Sequence, residues 1–352
     1  MSGASARAFA MRWTPHEDGG IPMRDQLLTV SAAVLGLQLL LPGPAVGQTQ
    51  KAQPTVQNKT RASTPSRTPW GHPDISGTFT NSTIVPLERP ASFGDKAELT
   101  DAEVAKRFKT YKDTLFAKRE GDTGFYNDFW WEWGKDVKRT SLIVDPPDGK
   151  LPMTPQARER ANAALARFAR PAPAGPEDLN SFDRCITRSM PGSMLPGFYN
   201  HYYEIFQTPD YVALRIEMIH DVRIIPLDNR PHLGSSIRQW LGDSRGRWDG
   251  DTLVVETTNL NDKVTDHGPT YFGVGHELRL VERFTRVDAD TIDYRFTVEA
   301  PSTFTRPWTA AIPLNKNDMQ IFEYACHEGN YAMPHSLSGT RAEEARSTGS
   351  QK

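Results

Sequence analysis

Gly246-Arg247-Trp248-Asp249-Gly250-Asp251-Thr252-Leu253-Val254-Val255-Glu256-Thr257 opens a stretch, continuing to Leu314, in which apolar and polar residues alternate between tight turns. A period of two marks strands with one buried face. Asp249-Gly250-Asp251 divides Arg245 to Trp248 from Thr252 to Asn259, and Asp288-Ala289-Asp290 divides Glu277 to Val287 from Thr291 to Glu299. Phe304 to Leu314 and Gln320 to His327 follow as further expected strands. Upstream, Tyr202 to Phe206 and Tyr211 to Met218 read as a hairpin around Pro209-Asp210, and Val222 to Pro226 continues extended beyond a kink. Turns, not crossover helices, join these runs. The expected fold is therefore mainly β, an antiparallel meander closed into a barrel or folded into a sandwich. Closure is preferred because it removes exposed strand edges.

The part preceding this β domain, residues 70–176, reads as a mixed segment packing on it. It has a short opening strand within Ile75 to Ile84 and two helices. The first is announced by Thr100 with Glu103 three residues on, a capping box, and runs toward Lys118. The second starts at Thr154 with Pro155 in the first helical position and runs to Phe168, ahead of Pro171, Pro173 and Pro176. Between the helices, Phe125, Tyr126, Phe129, Trp130, Trp131 and Trp133 crowd together. Such a cluster serves as a flap over a core or as an aromatic platform for a ligand.

The 352 residues are 38% hydrophobic and 24% charged, with a formal net charge of −2. That balance lacks the basic footprint a nucleic-acid phosphate backbone requires. Leu27 to Leu41 is an apolar run of about 15 residues, short for a membrane span. It follows Met23-Arg24 and precedes Pro42-Gly43-Pro44 and small residues up to Gly47, the layout of a cleavable export signal over 23–47. Met23 then reads as the start, with 1–22 an over-extended beginning, and no stable membrane span remains after cleavage. Residues 48–69 read as a disordered linker, 177–340 as the β domain and 341–352 as a disordered tail. A periplasmic or secreted location makes Cys185 and Cys326, the only two cysteines, a disulfide pair.

Strand parity supplies the candidate site. Along Val212, Leu214, Ile216, Met218, His220, Val222 and Ile224 the exception to an apolar face is His220. Along Leu278, Leu280, Glu282 and Phe284 it is Glu282, and along Phe304, Arg306, Trp308, Ala310 and Ile312 it is Arg306. A polar group on a buried face needs a partner or a purpose. If the three faces share one interior, His220 and Glu282 serve as acid/base groups and Arg306 binds a carboxylate or developing oxyanion, between walls supplied by Trp248, Trp308, Tyr294 and Phe296. The structural alternative is a buried Arg–Glu pair with a hydrogen-bonded histidine.

The functional expectation is an exported, cofactor-independent enzyme of lyase, isomerase, cyclase or hydrolase type. Its substrate is a small, partly apolar, anionic molecule. A non-catalytic small-molecule binder is the alternative, and an envelope structural protein, signalled by a solid interior, is a third. Gly234-Ser235-Ser236 lacks the pattern of a phosphate loop, and Pro191-Gly192-Ser193-Met194 lacks the second glycine of a nucleophile elbow. Glu217, His220, His232, Cys326, His327 and Glu328 do not have the spacing of a known zinc motif, so no metal is expected.

The opening motif, together with Arg230-Pro231-His232, Glu282-Arg283-Phe284 and Glu323-Tyr324-Ala325-Cys326, resembles a large family of exported bacterial proteins with no assigned activity. The likeness covers roughly Trp70 to Glu344 and implies export and a β-rich structure, with no catalytic residues to carry over. Asp74-Ile75-Ser76-Gly77-Thr78-Phe79 is similar to the first strand of lipocalin-like barrels, with Phe79 where those carry tryptophan.

Overall fold

The structure, a computed structural model, describes residues 66–116, 131–135, 137–168, 173–263 and 275–349. The expected export signal, most of the linker and the aromatic residues 125–130 lie outside the described residues. In chain order the elements are β1 (Gly77–Thr80), α1 (Asp101–Leu115), β2 (Ile143–Asp145), α2 (Pro155–Phe168), β3 (Tyr202–Gln207), β4 (Tyr211–Ile216), β5 (Val222–Pro226), β6 (Asp243–Asp249), β7 (Thr252–Thr258), β8 (Arg279–Arg286), β9 (Thr291–Glu299), β10 (Trp308–Lys316) and α3 (Ala332–Gly349).

Every strand pairing is antiparallel. The path runs β5-β4-β3-β1-β10-β9-β8-β7-β6, with β2 added beside β10. Two meanders, β3 to β5 and β6 to β10, are thus stitched together by β1, and the sheet curls until it is nearly closed into a barrel. Alternation decides which faces point inward: Ile292, Tyr294, Phe296 and Val298 of β9 are all fully buried, opposite Leu314, Ile312, Ala310 and Trp308 of β10. Each such large side chain contributes roughly 1.5–3 kcal/mol by leaving water.

The seam between β5 and β6 has no backbone ladder and is closed by side chains. A Cβ on Gly246 of β6 would lie 2.8 Å from Ile225 Cγ2 and 2.7 Å from Leu227 Cδ2, so the absence of a side chain there lets the two ends of the path approach. Arg223 of β5 reaches across the seam. Its guanidinium donates to Ser244 Oγ of β6 at 3.0 Å, to Thr257 Oγ1 of β7 at 3.1 Å, and to both carboxylate oxygens of Glu282 of β8 at 3.0 and 2.6 Å.

The capping box at Thr100 forms as its residues dictate: the Glu103 N–H donates to Thr100 Oγ1 at 3.3 Å, and the Thr100 N–H to the Glu103 carboxylate at 2.8 Å. Thr154 caps α2 by accepting from the Ala157 N–H at 3.1 Å. Three expectations are corrected. The linker's end is folded, since Arg67 bridges Pro73 and ion-pairs with Asp251 at 2.8 Å. The tail is helical as far as Gly349, in keeping with its Ala, Glu and Arg content. Gln320 to His327 is not a strand; Phe322 N–H donates to Glu217 at 3.1 Å, and Cys326 is joined to Cys185 by a disulfide, so this segment is held without a ladder.

Candidate functional site

The interior does not bring the three expected groups together. Ile219 and His220 both take left-handed backbone conformations, φ 63° and 51°. That kink reverses parity between β4 and β5: Val212, Leu214 and Ile216 point in, whereas Val222 and Ile224 point out and Arg223 takes the inward place. His220 is exposed on the turn, its Nδ1–H donating to the Tyr324 carbonyl at 2.9 Å. Arg306 precedes β10 instead of lying on it, is exposed, and pairs with Asp145 through Nη2 at 2.9 and 2.7 Å.

Only Glu282 of the three is interior, and its partner is Arg223. Tyr294 OH also donates to Glu282, at 2.9 Å. Burial works against the charged guanidinium, but Glu282 overrides it and raises its pKa; burial, then the negative Glu282, pushes the Tyr294 phenol well up. This is a structural network in which both carboxylate oxygens of Glu282 are paired, while Arg223 Nε is buried without a hydrogen-bond partner. Phe296 and Trp308 pack edge to face at 5.6 Å and fill the interior beside it. Trp248 is half-buried, packs against the same core and stacks on His72 at 4.8 Å.

A cleft of ≈ 380 Å³ lies instead where α1, the loop following β1, residues 131–134 and the loop Leu195–Phe198 meet. Its size suits a small organic molecule. Trp131 and Phe198 stack at 4.4 Å, Trp133 meets Phe108 edge to face at 5.0 Å, and Tyr111 of α1 completes the aromatic wall. The Glu132 N–H donates to the Phe198 carbonyl at 2.8 Å, which fixes this short segment against the loop.

Between the two tryptophans, the side chain of Glu132 turns toward the start of β3. Its Oε2 accepts from the His201 N–H at 3.0 Å and from Ser82 Oγ at 3.3 Å. No Lys or Arg lines the cleft among the described residues, and none forms an ion pair with Glu132. Burial, reinforced by the nearby Glu217 carboxyl, raises the Glu132 pKa from 4.5 to about 7. His201 behind it is buried, which pushes its pKa well down, so the imidazole is neutral. Arg306, the group expected to receive an anion, is paired with Asp145 and does not line this cleft.

No family model, curated protein or solved structure matches this chain. Among the described residues no group of three or more His, Cys, Asp or Glu side chains is placed to hold a metal ion, and no helix is long and apolar enough to cross a membrane. The functional reading therefore rests on geometry. The sequence signal for Glu132 was available: a lone acid between Trp131 and Trp133 in an aromatic run is either solvated or held for a purpose.

Proposed function

We propose that the protein is an exported, cofactor-independent enzyme that takes a small, largely apolar, uncharged molecule into the aromatic cleft and transfers a proton at it through Glu132. The observation that carries this reading is a carboxyl that has no cationic partner among the described residues and is set into the wall of an aromatic cleft. Export is supported by the signal-like pattern over 23–47 and by the Cys185–Cys326 disulfide. A solid barrel interior also suits a structural protein, but the cleft lies outside that interior and gives the chain a place for a ligand.

The test is a panel of small neutral aromatic carbonyl compounds, esters and epoxides, with binding followed by tryptophan fluorescence and turnover by product analysis. Glu132→Gln is expected to leave affinity within about threefold and to lower turnover by roughly 10²–10⁴. Activity that needs the protonated acid should fall as pH rises through about 7. The same group links pH to stability. Its folded pKa lies above the unfolded value, so its contribution is complete below about 4.5 and fades as pH rises through about 7. Turnover undiminished in Glu132→Gln contradicts the assignment, and tight binding without product in the native protein converts the reading to a binding protein.

A further inference from the structure

Near Glu132, and not among the residues lining the cleft, lies a second carboxyl that the proposed chemistry leaves unused. Glu217, at the end of β4, is 2% exposed. Three consecutive residues hold the two acids between them. The His201 N–H donates to Glu132 Oε2 at 3.0 Å, and the next amide, Tyr202 N–H, donates to Glu217 Oε2 at 3.4 Å. Asn200 lies close to both, its backbone toward Glu132 and its side-chain amide toward Glu217. Phe322 N–H completes the set on Glu217 Oε1 at 3.1 Å.

Facing the pair among the described residues are Ser82 on Glu132, the Tyr202 phenol near both, and the buried His201 imidazole, whose far nitrogen meets the Arg188 guanidinium at 3.4 Å. Arg215, whose charge acts on Glu217, is committed to an ion pair with Glu204 at 3.1 Å. The Glu217 carboxyl is near enough to raise the Glu132 pKa, and among the described residues neither acid has an ion-pair partner, so ionising both near neutral pH is disfavoured. The place of the retained proton follows from the surroundings. Burial raises the pKa of both acids, but on Glu217 the Phe322 and Tyr202 N–H groups and the field of Arg215 work against it, whereas Glu132, held by the His201 N–H and Ser82 Oγ, sits in the cleft wall between Trp131 and Trp133.

We infer that Glu217 is the positioning residue of Glu132: it carries the negative charge of the pair and keeps the shared proton on Glu132, facing the cleft. The inference rests on the reading that Glu132 acts in the cleft, and it makes the site a proton donor toward an uncharged oxygen or nitrogen of the substrate. In the step, the Glu132 O–H bond breaks and the proton passes to that atom. The pair is left doubly negative until product or water returns a proton.

Carboxyl ¹³C NMR of the full chain, labelled at glutamate, tests this without any ligand. In Glu217→Gln the titration midpoint of Glu132 is expected to fall by about one pH unit or more, and Glu217→Asp, which keeps the charge, should leave it raised. Coupling is reciprocal, so the Glu217 midpoint should fall by a similar amount in Glu132→Gln. A midpoint of Glu132 that moves by less than about 0.3 unit in a folded Glu217→Gln protein overturns the inference, since burial alone then sets it. Should either glutamine variant fail to fold, the native curves decide: two inflections in each resonance support the shared proton, and single independent inflections overturn it. Absence of ligand binding leaves these titrations intact, so failure of the cleft reading and failure of the pair are separable.

Discussion

Arg223→Ala is expected to lower the free energy of unfolding by about 3–5 kcal/mol, read from the midpoint of a urea titration. The reason lies in what is left behind. Glu282 is fully buried, and with the guanidinium gone it retains only the Tyr294 hydroxyl as a strong donor. Ser244 and Thr257 lose the same partner, and the β5–β6 seam loses the side chain that ties it across the barrel. The double variant Arg223→Met/Glu282→Leu should recover most of the loss, because removing both charges deletes the desolvation cost together with the attraction. A single variant within about 1 kcal/mol of the native protein would show that the seam does not depend on this pair.

The second large effect belongs to the disulfide. Cys185 and Cys326 are 141 residues apart in sequence, so the bridge restricts the unfolded chain over much of the β domain. On the chain-entropy model its removal in Cys185→Ala/Cys326→Ala costs about 4–5 kcal/mol. The cost has a local side as well. The bridge secures Glu323 to Cys326 near the Phe322 amide that hydrogen-bonds Glu217, so the double variant should also loosen the second carboxyl near Glu132. Equal urea midpoints for the bridged protein and the double variant would contradict the assignment.

Much of the barrel was legible in the sequence because strand alternation is a local property. Thr291–Glu299 was delimited by its own residues, as was the start of α2 at Pro155. Pairing the only cysteines needed no geometry. Parity failed where the backbone left the strand: nothing in Met218-Ile219-His220 announces two left-handed residues in succession, and carrying the period through them put His220 inside and Arg223 outside. Arg306 failed for a related reason, since β10 begins only at Trp308. The Glu282 partner was sought in the wrong strand as a result. The cleft was harder to read because its walls come from α1, the segment around Glu132 and the loop before β3, which are distant in sequence and follow no shared period. What could be read there was the crowding of Trp131 and Trp133; the acid between them is the group proposed to transfer the proton.

The most direct test of where ligand binds is the set of tryptophan indole N–H resonances, recorded with and without a saturating small aromatic ligand from the same panel. Trp131 and Trp133 should shift on binding while Trp308, sealed in the barrel, and Trp248, stacked on His72, stay in place. Movement of the Trp308 indole with Trp131 and Trp133 unchanged would put the binding site inside the barrel and contradict the assignment of the cleft.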